Sequence, residues 1–425
     1  MNHLDRRTFL AGAAAGVAVS SFKRARAADA NSEVVLGLMG ANSRGSQLAS
    51  QFAKQQGCRI AYVCDPDERA IAKGIEAATS QGASAPQGIR DFRQALDDPA
   101  VDALVCAAPN HWHAAATTLA CAAGKHVYVE KPCSHSAEEG ELMIAAARTA
   151  NRVVQVGMQR RSGPLYQQVA TKIREGAIGE PLSAKSWYYS PRPTIGHGRQ
   201  TDPPAWLDYS LWQGPAPERP FRDNTVHYNW HFFWHWGDGE LGNNGVHTLD
   251  LCRWFMGVDF PTRVTAAGAR LRFDDDQETP DTINVVYECG DKLIAWEGNS
   301  WIRPETPERG IGIDILGTEG MLHVDDSGCR ILDLNNRVVD TFKASRGDAE
   351  HLRDFLDAVH DGSRTNADIE EGHKSALFCH LGNIAYRTGQ SIETDAANGY
   401  IRDNETAQAL WSREYRDGWA PKVHG

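Results

Sequence analysis

The first part of the chain repeats one pattern, in which a short and mostly apolar run is followed by a stretch with helical periodicity. The apolar runs lie at 34–40, 59–65, 101–109, 127–133 and 152–157. Helical stretches separate them at 47–54, at an alanine-rich segment ending at 124–125, and at 138–150. Continuous apolar runs are typical of strands buried on both faces. Their alternation with helices predicts a doubly wound parallel sheet in an α/β fold.

The second part of the chain follows a different pattern. Residues 187–236 are rich in aromatic side chains and proline, which indicates a long loop region. Beyond it, strands of an antiparallel or mixed sheet are predicted at 264–273, 281–287, 292–297, 312–316, 321–324 and 330–333. Amphipathic patterns predict helices at 349–360, 370–388 and 406–414, which should pack back on the rest of the protein.

The length of the chain indicates more than one domain, because 425 residues exceed what one ordinary hydrophobic core holds. We expect one domain at 28–155 around the parallel sheet and a second at 156–345 around the other sheet. The C-terminal helices at 346–425 should pack on both.

Residues 1–27 have the features of a twin-arginine export signal. Arg6 and Arg7 precede an apolar run, and the segment ends in the cleavage pattern Ala25-Arg26-Ala27. The alternative is a membrane-anchoring helix, but the run at 9–22 has only 14 residues and a span needs about 20. We therefore expect a protein exported in the folded state to the periplasm or beyond, without a stable membrane anchor.

Charge and cysteine content narrow the possible partners. Residues 1–27 carry five basic side chains and one acidic, so their removal takes the formal charge from −11 to −15. Nucleic acid is therefore not an expected partner. The nine cysteines are an odd number without paired CxxC motifs, so neither a disulfide framework nor a zinc site is predicted.

The turn after the first apolar run is the first candidate for binding chemistry. Gly40-Ala41-Asn42-Ser43-Arg44-Gly45 follows a strand and precedes a helix, where dinucleotide folds carry G-x-G-x-x-G. Asn42 replaces the second glycine, and asparagine tolerates a left-handed backbone better than most residues. Asp65 ends the second run, 20 residues after Gly45, where a carboxylate accepts from ribose hydroxyls. An acid there repels a 2′-phosphate, which favours NAD over NADP, although Asp65 could instead be a turn or cap residue.

A charged pair ends the fourth apolar run. Glu130-Lys131-Pro132 follows Val127-Tyr128-Val129, and in an open α/β sheet ligands bind at the carboxyl ends of the strands. We therefore expect Lys131 to meet both the nicotinamide and a substrate hydroxyl.

A second polar cluster follows the aromatic region. Asn243, His247 and Asp250 are spaced by four and three residues, so they share one face if the segment is helical. Alternatively, Asn243 only caps a helix. His231 and His235 have the spacing of metal ligands but no third ligand in register, so no metal is predicted. The aromatic region suits the apolar face of a sugar. The predicted substrate-binding residues are Trp230, Trp234, His235, Asn244 and Asp250.

The glycine-rich turn, Asp65, the Ala-Pro-Asn-His-Trp-His segment at 108–113 and Glu130-Lys131-Pro132 resemble the Gfo/Idh/MocA oxidoreductase family. The resemblance implies a Rossmann domain followed by an α/β domain whose large, open, mixed or antiparallel sheet often forms the oligomer interface, and hence a homodimer or homotetramer. It also implies NAD as the cofactor. The residues expected at the cofactor are Gly40, Asn42, Ser43, Arg44, Gly45, Asp65, Pro109, Asn110, His113, Glu130 and Lys131.

By the same resemblance, Lys131 and His247 are catalytic, together with residue 243. The family has an aspartate where this chain has Asn243, and an amide can orient a histidine ring but supplies no charge. The pKa of His247 should therefore be lower than with an aspartate. Asp238, Glu240 or Lys131 itself could assist His247.

These features predict an NAD-dependent oxidoreductase acting on a hydroxyl of a sugar, glycoside or cyclitol. Because free NAD is scarce outside the cytoplasm, we expect the cofactor to stay bound. One alternative is an NAD-dependent glycosidase that oxidises its substrate, eliminates the aglycone and then reduces the sugar. A further alternative is a non-catalytic exported sugar-binding protein.

Overall fold

The structure, a computed structural model, describes residues 33–302, 305, 310–344 and 347–423. The expected export signal at 1–27 lies outside the described residues. A parallel sheet with strand order 3-2-1-4-5-6 begins the described part. Its strands are β1 (Val34–Met39), β2 (Cys58–Cys64), β3 (Gln87–Ile89), β4 (Ala103–Cys106), β5 (His126–Val129) and β6 (Val154–Val156).

The helices of this half connect successive strands of the parallel sheet. They are α1 (Arg44–Phe52), α2 (Glu68–Thr79), α3 (Arg93–Asp97), α4 (Asn110–Ala122) and α5 (Ala137–Ala150). The doubly wound parallel sheet is confirmed, including all five strands that the apolar runs predicted. The third strand was not predicted, because β3 has only three residues and one of them is buried.

The second sheet has nine strands in the order 14-13-12-11-7-10-9-8-15, and only β7 and β10 pair in parallel. The large mixed sheet is therefore confirmed as well. Its strands are β7 (Pro181–Tyr189), β8 (Arg263–Ala269), β9 (Thr282–Cys289), β10 (Lys292–Asn299), β11 (Ile311–Gly317), β12 (Gly320–Asp325), β13 (Gly328–Asp333), β14 (Val338–Lys343) and β15 (Ile392–Glu393).

Two expectations for this half were wrong. The loop expected from 187 in fact begins after β7, a central strand that ends at Tyr189. The helix expected at 406–414 is only one turn long. The helices are α6 (Pro164–Arg174), α7 (Tyr209–Gln213), α8 (Val246–Met256), α9 (Asp348–Asp361), α10 (Ile369–Thr388) and α11 (Glu405–Gln408), with 3-10 turns at Gln159–Ser162 and Asn229–Phe232 and a π-helical turn at Leu241–Gly245.

The C-terminal helices contact both sheets. Phe355 of α9 packs against Phe52 and Tyr128 behind the parallel sheet. Helix α10 is buried on most of its surface and contacts α5, α8 and β8. This packing fixes the carboxyl end of β5 relative to the π-helical turn, and the described residues belong to one compact unit. The domain boundaries at 155 and 345 stay predictions. Within the described ranges, no helix has the length and apolarity needed to cross a bilayer.

Candidate active site

The turn between β1 and α1 brings bare backbone to the start of a helix. A Cβ atom at Gly40 would lie 2.5 Å from the Ala108 nitrogen, and one at Gly45 would lie 1.7 Å from the Gly40 oxygen. Both positions therefore require glycine. The left-handed residue is Ser43, with φ of 40°, and not Asn42 as the sequence suggested. The first turn of α1 carries no acidic side chain, so its positive end suits a phosphate.

Asp65 combines the two roles that the sequence left open. Its carboxylate accepts from the backbone nitrogens of Ala41 at 2.8 Å and Asp67 at 2.9 Å, which fixes the turn beside it. Each oxygen of a carboxylate can accept more than one hydrogen bond. Asp65 also lines a cavity of about 270 Å³, together with Gly40, Asn42, Ser43, Arg44 and Pro109. The carboxylate can therefore support the turn and still accept from a ribose.

The far wall of this cavity is a segment from the second half of the chain. We call residues 206–230 the strap; Trp212, Tyr228 and Trp230 are among its residues that line the cavity. The strap is tied to the loop after β2 by backbone hydrogen bonds from Glu68 to Trp206 and from Asp208 to Pro66. Two side-chain contacts add to them.

The first of these contacts joins His227 Nε2 and Asp67 Oδ2 at 2.7 Å. The second places the guanidinium of Arg69 over the Trp206 ring, 3.2 Å from its centroid. The cavity is therefore covered at the end where Asp65 lies.

The buried Glu130 pairs with the partly exposed Arg44 beside the cavity. Arg44 Nε donates to Glu130 Oε1 at 2.7 Å, and Arg44 also lies 3.4 Å from Asp348. Burial raises the pKa of Glu130, but Arg44 and Lys131 outweigh this and bring it below its usual value. The Glu130 carboxylate also packs against Gly157, where a Cβ atom would lie 2.8 Å from it. Glu130 therefore anchors Arg44 and does not line the cavity, contrary to expectation.

Lys131 extends from the end of β5 to the π-helical turn. Its Nζ donates to the backbone oxygen of Asn243 at 2.8 Å and lies 3.5 Å from the Asn243 side-chain oxygen. Asn243 in turn lines the nucleotide cavity. Burial lowers the pKa of Lys131; Arg44 lowers it further, and Glu130 opposes the shift. Lys131 therefore donates directly to a residue that lines the nucleotide cavity.

His247 follows one turn later, at the start of α8. Burial places its pKa well below the usual value, and the positive charges of Lys131 and Arg160 add to this. The imidazole is therefore neutral at neutral pH. A low pKa was expected from the amide at 243, but the larger cause is burial. No hydrogen bond to this ring is found in the part of the chain that the structure describes.

The two acidic candidates to assist His247 have different surroundings. Glu240 Oε2 accepts from the amides of Asn244 at 2.5 Å and Asn243 at 3.4 Å, so it lies beside the Lys131 contact. Asp238 instead accepts from Asn110 at 2.7 Å and lies 3.3 Å from His135 Nδ1. Asn110 is therefore a partner of Asp238, and Asn244 is a partner of Glu240; their expected contacts with cofactor and substrate stay predictions.

Two expected substrate residues line a different cavity. Trp234 and His235 border a space of about 550 Å³ that also contacts His135, His380 and Arg387, whereas Trp230 lines the nucleotide cavity. His235 Nε2 is hydrogen-bonded to the Pro217 oxygen at 2.7 Å. Neighbouring positions on an irregular loop point in different directions, so the aromatic cluster does not act as one surface.

Two other expected ligands are structural. His113 bridges the backbone oxygens of Pro132 and Ala108, at 2.6 and 2.8 Å, and so joins the loops that follow β4 and β5. Asp250 is buried and accepts from Arg161 at 2.9 Å. It also accepts from the Ser375 hydroxyl at 2.7 Å, so Asp250 belongs to a buried polar network and lines neither of the two cavities.

The sequence also missed two residues of the centre. Arg192 donates to Glu240 at 2.8 Å and to the Tyr188 hydroxyl at 3.0 Å. His227 joins the strap to Asp67. Neither belongs to a recognisable motif, and only the chain fold brings them to the cavity.

Three features together define an NAD-dependent oxidoreductase: the glycine-rich turn at 40–45, Asp65 and Lys131. Two family models match the chain: an oxidoreductase family NAD-binding Rossmann fold at 34–158, and the same family's C-terminal alpha/beta domain at 187–421. The chain therefore belongs to the Gfo/Idh/MocA oxidoreductase family.

Individual relatives are more distant. A levoglucosan dehydrogenase from Pseudarthrobacter phenanthrenivorans is 27% identical over 263 residues, which cover 60% of this chain and about half, 52%, of that protein. A glycosyl hydrolase family 109 protein from a Shewanella species is 29% identical over 212 residues, 44% of this chain and 46% of that protein. The fold is similar to that of the WlbA dehydrogenase from Bordetella pertussis, solved with NADH and UDP-GlcNAcA. That match has a TM-score of 0.66 and 20% identity, over 85% of this chain and 99% of the other.

Proposed function

We propose that this enzyme oxidises a hydroxyl group of a sugar, glycoside or cyclitol, with Lys131 and His247 at the reacting hydroxyl. The observation that carries the proposal is the placement of Lys131 on the Asn243 backbone oxygen, where Asn243 lines the nucleotide cavity. When bound, NAD would supply the acceptor for the hydride of the substrate carbon, and Lys131 or His247 would take the hydroxyl proton. The levoglucosan dehydrogenase relative supports a carbohydrate substrate.

Lys131 is the better proton acceptor of the two. The pKa of His247 is held so low that this ring would release a proton at once at neutral pH. Burial moves the pKa of Lys131 down from its ordinary value toward neutrality, where a general base is most effective. The neutral His247 ring then orients the hydroxyl, and general-base catalysis contributes roughly 10²–10⁴-fold in rate.

Replacing Lys131 tests this assignment. Lys131→Met removes the base but keeps an unbranched side chain, so turnover should fall by about 10²–10⁴-fold while the bound NAD content is unchanged. The measurement is reduction of NAD in the presence of a panel of sugars and cyclitols. Activity at the wild-type level in this variant would refute the assigned centre.

The contacts of the strap favour a cofactor that stays bound between turnovers. It covers the nucleotide cavity and is tied to the β2 loop by two backbone hydrogen bonds and two side-chain contacts. The test is to denature the purified protein and assay the supernatant for NAD. A stoichiometric amount supports retention, whereas an empty supernatant contradicts it. A native mass measurement of the intact protein also separates an enzyme from a sugar-binding protein without cofactor.

A second candidate is hydrolysis of a glycoside by transient oxidation, elimination and reduction. The relative in glycosyl hydrolase family 109 favours it. The net reaction leaves NAD unchanged, so released aglycone would exceed reduced cofactor by many turnovers. Incubating the holoenzyme with an aryl glycoside and following both products distinguishes hydrolysis from net oxidation.

We further propose that the chain is exported in the folded state by the twin-arginine route. The support is the sequence at 1–27 alone, with Arg6 and Arg7 before the apolar run. Changing both arginines to lysine in the full chain should leave the protein in the cytoplasm, as cell fractionation would show. Export of this variant at the wild-type level would contradict the proposal.

The nine-stranded sheet is proposed as the surface of a homo-oligomer. Leu293 of β10 and Leu316 of β11 flank Ser183 of β7 in the strand register, and they are 42% and 49% exposed. Apolar side chains at adjacent positions of an uncovered sheet favour pairing with another sheet. Sedimentation of the wild type against Leu293→Lys tests this, because a dimer or tetramer should dissociate in the variant.

A further inference from the structure

One buried carboxylate beside Lys131 has no role in the reaction as described above. Glu240 is 4% exposed and lies directly before the π-helical turn, three residues from Asn243. Burial of an ionised carboxylate is strongly unfavourable unless hydrogen bonds and opposite charges compensate. The groups that contact Glu240 therefore indicate its role.

Those partners come from three segments of the chain. Oε1 accepts from Arg192 Nε at 2.8 Å and lies 3.8 Å from His231 Nε2. Oε2 accepts from the side-chain amides of Asn244 at 2.5 Å and Asn243 at 3.4 Å. Burial raises the pKa of Glu240, but His231 and Arg192 outweigh burial and lower it to about 2. The carboxylate is therefore ionised at any pH at which the enzyme works.

The amides that Glu240 holds belong to the turn that receives Lys131. The Asn243 backbone oxygen accepts from Lys131 Nζ at 2.8 Å, and its side-chain oxygen is 3.5 Å away. A π-helical turn lacks the regular i to i+4 hydrogen bonds of an α-helix. Because Glu240 accepts from the side-chain amides of two consecutive residues, it restricts the movement of this turn. It thereby restricts the position of Lys131 as well.

Glu240 also acts on Lys131 through its charge. It raises the pKa of Lys131, against the larger lowering by burial. Asn243 lies between the two groups and is neutral, so the negative charge on this side of the lysine comes from Glu240. The other charged or titratable groups that interact with Lys131 are Glu130, Arg44, the Cys379 thiol and His247. Those that act on Glu240 or lie against it are Arg192, His231, Tyr188 and Tyr228.

We propose that Glu240 is a positioning residue of the hydride-transfer site: it fixes the Asn243–Asn244 turn on which Lys131 rests and supplies the negative charge that Asn243 cannot carry. Glu240 acts through these residues and does not itself touch Lys131. Its kinetic consequences rest on the proposed function, but its effect on Lys131 can be measured without catalysis.

The test uses the full-length holoenzyme and three variants. Glu240→Gln keeps the size of the side chain and removes the charge. Asn244→Ala removes the hydrogen bond from Asn244 to Glu240 without a change in charge. Glu371→Gln is the matched control, because Glu371 is a partly buried carboxylate that pairs with Arg161 and is not one of the main charged groups that shift the pKa of Lys131.

The first readout is the rate at which cyanate carbamylates Lys131, followed by peptide mass spectrometry as a function of pH. Cyanate reacts with the neutral amine, so the midpoint reports the titration of Lys131. Without an opposing negative charge, the charged amine is less favoured, so in Glu240→Gln the midpoint should move about one unit toward lower pH. It should stay unchanged in Asn244→Ala and Glu371→Gln.

The second readout is the pH profile of kcat. In Glu240→Gln the acidic limb should move in the same direction, and the plateau should fall about tenfold or more because the turn is no longer fixed. Asn244→Ala should lower the plateau and leave the limb in place. A purely structural role for Glu240 would lower activity and stability without moving either midpoint.

Each outcome decides the proposal. A Lys131 midpoint in Glu240→Gln equal to that of the wild type overturns it, whether or not a substrate has been found. If the wild type oxidises no sugar while the midpoint moves, the proposed function fails and the positioning role stands. If Glu240→Gln does not fold, Glu240→Asp keeps the charge but shortens the reach, so it must lower kcat without moving the midpoint. Wild-type kcat in Glu240→Asp would overturn the proposal.

Discussion

The contact between His227 and Asp67 offers a direct test of whether the strap retains the cofactor. His227 Nε2 and Asp67 Oδ2 lie 2.7 Å apart, with the side chains 22% and 3% exposed. This is the shortest side-chain contact described above between the strap and the loop after β2. If NAD leaves only when the strap moves away, the contact must break before release. His227→Ala should therefore speed dissociation of the nucleotide.

The size of the effect follows from the surroundings of Asp67. Hydrogen bonds to a charged group stabilise a protein by about 1.5–3 kcal/mol, and an unpaired buried acceptor adds to the loss. Here the loss is smaller, because Asp67 still accepts from the Arg69 side chain at 3.0 Å and caps α2. We expect about 1–2 kcal/mol, which corresponds to a dissociation rate about 5–30 times that of the wild type.

The assay follows the loss of fluorescence when protein loaded with NADH is mixed with an excess of NAD. His197→Ala is the matched control, because His197 pairs with Asp276 at 3.0 Å and does not line the nucleotide cavity. Its dissociation rate should equal that of the wild type. An unchanged rate in His227→Ala would show that NAD leaves without opening the strap, and the structural basis for retention would then be wrong.

Two further substitutions have defined outcomes. Asp65→Ser should reduce the preference for NAD over NADP about tenfold in equilibrium binding, since it removes the carboxylate that repels a 2′-phosphate. Glu139→Gln should lower the free energy of unfolding in urea by about 2–4 kcal/mol, because the fully buried Glu139 accepts from Arg413 at 2.7 Å and Tyr415 at 3.0 Å. Burial raises the pKa of Glu139, but Arg413 and His135 outweigh it and hold the pKa below its usual value. The stabilisation is therefore present at neutral pH and is lost as the pH falls through the folded-state value, so the difference between wild type and Glu139→Gln should narrow in acid.

The parallel sheet could be predicted because each strand and turn is determined by residues that are adjacent in the sequence. Each strand from β1 to β6, apart from β3, consists mostly of apolar residues. The turn after β1 must contain Gly40 and Gly45, because backbone atoms occupy the space of a side chain. Lys131 could be predicted for the same reason. It directly follows a buried strand, and the carboxyl edge of a parallel sheet is a known ligand site.

The central strand β7 could not be predicted in the same way. Tyr188 and Tyr189 at its end continue without a break into the aromatic region, so composition alone does not mark the boundary. The boundary is set by pairing with β10 and β11, which lie more than 100 residues later in the chain. Trp234 and His235 line a cavity other than the nucleotide cavity for a related reason, since the direction of a loop side chain depends on contacts that are remote in sequence.

The prediction for residues 243–250 assumed one regular helix, which the chain does not form. Spacings of four and three residues place Asn243, His247 and Asp250 on one face only if the helix is regular from end to end. The chain instead forms a π-helical turn at Leu241–Gly245 before α8 begins. The extra residue per turn rotates Asn243 relative to the rest of the helix. Asn243 then meets Lys131 and the nucleotide cavity, whereas Asp250 turns into the interior toward Arg161. The π-helical turn thus places Asn243 in the reaction centre and Asp250 in the core. Glu240 contacts Asn243 and Asn244 at this same turn.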